Sequence, residues 1–147
     1  MFKNYQQLAL QESKNALKNG EVPVGAVAVC DGVVIARAYN RSEEHRNKTL
    51  HAEMVIIDEL RKIYGNTHFF GKNISIYVTL EPCCMCLSAM SMCGIKCIYY
   101  MLEDVKFGGV SRIFTESSSY FKPDIYYIYN EEYHVLLKEF FENIRNS

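Results

Sequence analysis

Ile74-Ser75-Ile76-Tyr77-Val78-Thr79-Leu80-Glu81-Pro82-Cys83-Cys84-Met85-Cys86 changes character halfway along. Its first six residues are rich in β-branched and aromatic side chains, which suit a buried strand. Pro82 is pre-set for the start of a helix, and the chain from Cys83 to about Met92 can continue as one until Gly94 stops it. Ile95 to Met101 reads as the next strand. A strand, a short cysteine-bearing helix and a second strand in so few residues point to a sheet with helices packed on it.

The flanking sequence extends this pattern. Tyr5, Leu8, Ala9, Ala16 and Leu17 recur at helical spacing, which predicts a helix over residues 3–19 ended by Gly20. Gly25 to Cys30 and Val33 to Tyr39 read as strands, and Asp31-Gly32 between them is a hairpin signal. Asn40 to Lys48 is a polar loop. Thr49 is the expected N-cap of a helix running to about Ile63, and Gly65 to Asn73 is a second loop. Glu103 to Pro123 is irregular, with room for a short helix. Ile125 to Tyr129 is a last short strand. Glu131 to Ile144 is a helix with acidic residues at its positive end and an apolar stripe of Leu136, Leu137, Phe140, Phe141 and Ile144. The order predicts an α/β fold: one mixed five-stranded sheet inside a three-layer α/β/α sandwich.

Length and composition agree with a single domain spanning residues 1–147, because about 100–200 residues per domain is usual. Apolar residues make up 49% and charged residues 22% of the 147. Such usage argues against disorder, collagen and coiled coil. No apolar run approaches the roughly 18–20 residues that cross a bilayer, so no membrane role is expected. Met1 to Gln7 shows neither a signal core nor an Arg-rich transit pattern, which makes the cytoplasm the expected compartment. A net charge of −1 excludes a uniformly basic coat for nucleic acid. The six cysteines stand at 30, 83, 84, 86, 93 and 97. In a cytosolic chain that crowding reads as metal binding or redox chemistry before disulfides.

Two segments carry the chemistry: His51-Ala52-Glu53 and Pro82-Cys83-Cys84-Met85-Cys86. Cys83 and Cys86 are three apart on a predicted helix and so share a face. Its first turn favours thiolate over thiol. With His51 they make three zinc ligands, one Zn²⁺ per chain, and three protein ligands leave a fourth position for water, as in catalytic sites. Glu53, two residues after His51, is placed as a proton shuttle and not a ligand. Cys84 neighbours Cys83 on the helix and is read as core, like Cys30, Cys93 and Cys97. The competing reading of the cluster is a structural zinc site with a spare carboxylate.

These motifs sit among Gly20-Glu21-Val22-Pro23-Val24-Gly25-Ala26-Val27, Asn40-Arg41 and Tyr77-Val78-Thr79-Leu80-Glu81-Pro82-Cys83-Cys84-Met85-Cys86. Weaker matches follow at Ser88-Ala89-Met90 and Asp104-Val105-Lys106. Together they resemble the bacterial tRNA-specific adenosine deaminases of the cytidine-deaminase superfamily, over nearly the whole chain. The resemblance implies a cytidine-deaminase-like fold with zinc on His51, Cys83 and Cys86 and Glu53 moving protons. It implies a homodimer that converts the wobble adenosine of a tRNA anticodon stem-loop to inosine and releases ammonia. It further places Asn40 on the flipped adenosine, Val22, Pro23 and Val24 around its base, and Asp104, Phe140 and Phe141 near the anticodon loop. Lys106, Arg112, Arg41, Arg46 and Lys48 are the candidate phosphate contacts. Read without the resemblance, Asn40 serves equally well as a turn residue, Asp104 is simplest as a turn residue, and the Phe pair is simplest as core. The rival functions are a deaminase of a free nucleobase or nucleoside, of guanine or cytosine type, and a catalytically silent RNA-binding subunit. Glu53 argues against the silent subunit.

Overall fold

The structure, a computed structural model, describes residues 2–114 and 121–146. In chain order its elements are α1 (Phe2–Lys18), β1 (Gly25–Cys30), β2 (Val33–Tyr39), α2 (Ala52–Tyr64), β3 (Ile74–Val78), α3 (Cys84–Met92), β4 (Cys97–Tyr100), α4 (Val110–Ile113), β5 (Asp124–Tyr127) and α5 (Glu131–Arg145). One five-stranded sheet runs in the order β2-β1-β3-β4-β5. β1 is antiparallel to β2 and β3, and β3, β4 and β5 are mutually parallel, so the sheet is mixed. The β1–β2 hairpin closes through Asp31 and Gly32, both at positive φ (49° and 81°), the backbone of a two-residue primed turn.

Two-residue periodicity divides the sheet between two cores. Ala26, Ala28, Ile74, Ile76, Val78, Ile98 and Tyr100 point to one face, where they meet Ile56 and Leu60 of α2 and Cys86, Leu87 and Met90 of α3. Val27, Val29 and Tyr77 point to the other, where they meet Tyr5, Ala9 and Leu10 of α1 and Tyr133 and Leu137 of α5. That is the expected three-layer sandwich. Among the described residues, no helix is long and apolar enough to cross a membrane.

Several boundaries differ from expectation. Thr49 does not cap α2, because its backbone N–H and its hydroxyl both donate to Asn47 Oδ1. His51 holds the cap position, with ψ of 158° and no side-chain cap bond. β4 starts at Cys97, not Ile95: the Ile95 N–H closes the end of α3 on the Met90 carbonyl. β5 is Asp124–Tyr127 and not 125–129, because the Asn130 N–H turns to the Met101 carbonyl. Asn130 then caps α5 by accepting from the Tyr133 N–H. The short helix of the irregular segment is α4; residues 115–120 of that segment lie outside the described chain.

One glycine sets the spacing of α1 on the sheet. A Cβ on Gly25 would strike the Ala9 carbonyl and the Ser13 N–H of α1. Gly25→Ala is therefore expected to destabilise the protein by about 3 kcal/mol, since overpacked backbone has no flexible atom to give way. A urea midpoint equal to wild type would refute this.

Candidate metal centre and active site

Two helix N-termini meet on one face of the sheet. His51 is the N-cap of α2, Cys83 is the N-cap of α3, and Cys86 is the third residue of α3. Neither cap side chain bonds its own helix, so both are free to face each other. His51 Nδ1 lies 3.7 Å from Cys83 Sγ and 3.5 Å from Cys86 Sγ. Their ligand atoms all lie within 4.8 Å of one another, and no other such cluster of His, Cys, Asp or Glu is found among the described residues. Cys86 is fully buried, and His51 and Cys83 are half-buried. One imidazole and two sulfurs on helix N-termini, with no fourth side chain in the cluster among the described residues, are the donor set zinc takes in open catalytic sites. The residues fit the ion. Cys84 stays out of the cluster.

Glu53 is 3% exposed. Its charge acts on the Cys86 thiol, which places the carboxyl beside the cluster, and burial pushes its pKa up to about 7. Cys83 is drawn down to about 4 by the hydrogen bond from Cys86, aided by His51. Cys86 goes up, because Cys83 uses its proton and because it is buried. His51 is raised by its hydrogen bond to Cys83. This is a nest of groups built to share protons and to hold one cation.

The surrounding loops are tied to the cluster by backbone bonds. The Val24 N–H bonds the Val22 carbonyl at 2.8 Å and the Asn40 N–H bonds the Val24 carbonyl at 3.0 Å. The Arg41 N–H bonds the Leu50 carbonyl, next to His51. The Asn40 side chain is 6% exposed and its Oδ1 accepts from Ser42 Oγ, a turn bond. Asp104 uses Oδ1 to accept from the Lys106 and Phe107 N–H groups, also a turn bond. Its loop nonetheless reaches the cluster, since Gly108 pairs with Cys83.

Other expected positions lie apart. Phe140 lines a groove between α1 and α5 with Leu17 and Ile144. Phe141 is exposed, and the two rings meet edge-on. Among the described residues, no hydrogen bond or ring contact joins the Phe pair to His51, Glu53, Cys83 or Cys86. Arg112 donates to the carbonyls of Lys106 and Val105, and Arg41 lies over the Tyr39 ring. Cys30, Cys93 and Cys97 are only partly buried, because each sits at the rim of a strand or helix.

Sequence reasoning passed over three residues. Glu21 is wholly buried, and its two oxygens accept from the Glu43 and Glu44 N–H groups. Glu81 accepts from the Asp104 and Val110 N–H groups, clamping that loop against the Pro82–Cys83 segment. Tyr133 is wholly buried and donates to the Pro23 carbonyl. It falls three and four residues before Leu136 and Leu137, so helical periodicity alone places it on the buried stripe of α5.

Residues 2–102 match the cytidine and deoxycytidylate deaminase zinc-binding region. The chain is 38% identical to a tRNA-specific adenosine deaminase of Agrobacterium fabrum, over 97% of this chain and 95% of that one. It is 38% identical to another of Aquifex aeolicus, over 96% and 94%. A solved structure from work on A-to-I editing by tRNA A34 deaminases at the wobble position superposes with a TM-score of 0.80 at 40% identity, covering 85% of this chain and 97% of that one. A guanine deaminase of Nitrosomonas europaea shares the fold at a TM-score of 0.79 and 16% identity, covering 92% and 81%.

Proposed function

The chain belongs to the tRNA-specific adenosine deaminases of the zinc-dependent cytidine deaminase family, and from that premise we propose how its residues do the work. It is a zinc-dependent hydrolase that converts adenosine to inosine at the wobble position of tRNA, with water consumed and ammonia released. The observation that carries the reading is the His51–Cys83–Cys86 triangle with the buried Glu53 carboxyl beside it.

His51, Cys83 and Cys86 would hold one zinc ion. When bound, zinc supplies the Lewis acidity that makes water a nucleophile near neutral pH. Glu53 takes the proton of that water as its oxygen attacks C6, and gives it to N1. It then takes the proton of the new C6 hydroxyl and passes it to the exocyclic amine, which departs as ammonia while C6 becomes a carbonyl. A pKa near 7 suits a group that must accept and return a proton at working pH. Val22, Pro23 and Val24 line the base and Asn40 holds the nucleoside. The unpaired anticodon loop supplies a base that is cheap to splay out.

The substrate form is the anticodon stem-loop, met in the cytoplasm by Asp104, Lys106 and the loop they occupy. Incubation of the zinc-loaded protein with total tRNA, with inosine mapped afterwards, should give inosine at position 34 and ammonia in equal amount. Ammonia from free guanine, cytosine or adenosine, and none from tRNA, would refute the reading in favour of a free-base enzyme.

The working unit is a homodimer. α3 is apolar nearly throughout, yet Met92 at its end is 69% exposed, and Ile63 of α2 is 50% exposed. A second copy covers such surface at little cost. Met92→Lys is expected to shift wild-type dimers toward monomer in sedimentation; a variant that sediments as wild type would count against this face.

A further inference from the structure

We propose that Tyr133, at the start of α5, is a positioning residue for substrate: its hydroxyl fixes the Val22-Pro23-Val24 turn against which the target base is read. The inference rests on the function proposed above and deepens it.

The turn needs an outside donor. The Val24 N–H bonds the Val22 carbonyl at 2.8 Å, which makes a three-residue γ-turn centred on Pro23. Proline is suited to that centre because its ring locks φ near the required value. The turn uses the carbonyl of Val22 and leaves that of Pro23 pointing away from it. Pro23 is buried, and a buried carbonyl without a donor is costly. No backbone N–H reaches it among the hydrogen bonds of the described residues. The donor is Tyr133 Oη at 2.8 Å, 110 residues along the chain.

Tyr133 is built to deliver that proton to one place. Its ring is wholly buried in the core between α1, α5 and the sheet. Its own N–H is fixed by the Asn130 cap at 2.9 Å. The Gly25 N–H, one residue beyond the turn, donates to Thr79 Oγ1 at 3.1 Å. The turn is thus held at Pro23 by Tyr133 and just beyond Val24 by Thr79, at the strand end that leads into Pro82 and Cys83. A tyrosine that only filled volume would need no such acceptor for its hydroxyl.

The test is Tyr133→Phe, which keeps the ring and removes the hydroxyl. With an anticodon stem-loop as substrate, KM should rise about fivefold, as loss of one buried hydrogen bond allows. The kcat should stay within about twofold and zinc at one equivalent per chain. Pro23→Ala should raise KM in the same way, and the double variant should be no worse than the poorer single one, because both act through one turn. An unchanged KM in Tyr133→Phe overturns the proposal. So does a double variant whose effects multiply, or a loss of rate that merely follows the fraction of folded protein. Should Tyr133→Phe fail to fold, Pro23→Ala decides alone: a flat KM there overturns the proposal. If the wild type does not deaminate the stem-loop, the function itself is refuted; if it does and the variants match it, only the role of Tyr133 is lost.

Discussion

Glu53→Gln keeps one zinc per chain and loses about 10³-fold in kcat, the scale of a general acid–base group removed from its reaction. The substitution is near isosteric in a site that is 3% exposed, so packing survives. Burial already pushes the native carboxyl toward its neutral form, and a neutral amide should therefore be tolerated. Zinc stays because Glu53 is not one of the three clustered donors. KM for the stem-loop should change little, since the amide still fills the same space. Metal analysis and single-turnover rates on one preparation check both halves. A variant that deaminates at the wild-type rate removes Glu53 from the chemistry; one that loses zinc makes it a ligand.

The second large effect is on metal and stability together. Cys86→Ala should abolish stoichiometric zinc and lower the melting temperature to that of chelator-treated wild type. The sulfur is wholly buried between α3 and the cluster, and it is one of three donors clustered among the described residues. An ion held at 1,000 times its dissociation constant adds about 4 kcal/mol to the folded state. That stabilisation disappears with the ligand. Cys84→Ala is the control. Cys84 lies outside the cluster, so zinc should remain at one equivalent. Full zinc occupancy in Cys86→Ala, or its loss in Cys84→Ala, would reverse the assignment of the two sulfurs.

The elements that formed where periodicity placed them share a reason. In β1, Ala26 and Ala28 face one core while Val27 and Val29 face the other, so the strand signal is local and repeated. The helix that ends before Gly20 is local too: the Glu21 N–H bonds the Ala16 carbonyl and the Gly20 N–H bonds the Leu17 carbonyl, a terminal motif that needs a left-handed residue. Errors came where a competing partner decided. Thr49 has the chemistry of a cap, but Asn47 takes its hydroxyl. β4 and β5 begin and end where their neighbours' carbonyls are available, and their own residues carry no sign of that.

Sequence alone determined the kinds of donor present, their spacing on two helix starts and the two-sided pattern of the strands, because propensity, capping and periodicity act over a few residues. Only the tertiary structure decided which of those donors meet. The parallel pairing of β3 with β4 sets α3 beside α2 and closes 32 residues between His51 and Cys83 to 3.7 Å. It also sent Phe140 to the α1–α5 groove and brought Tyr133 to Pro23. Such contacts depend on strand order and helix placement, which balance free energies over the whole chain and leave no mark in any one stretch of it.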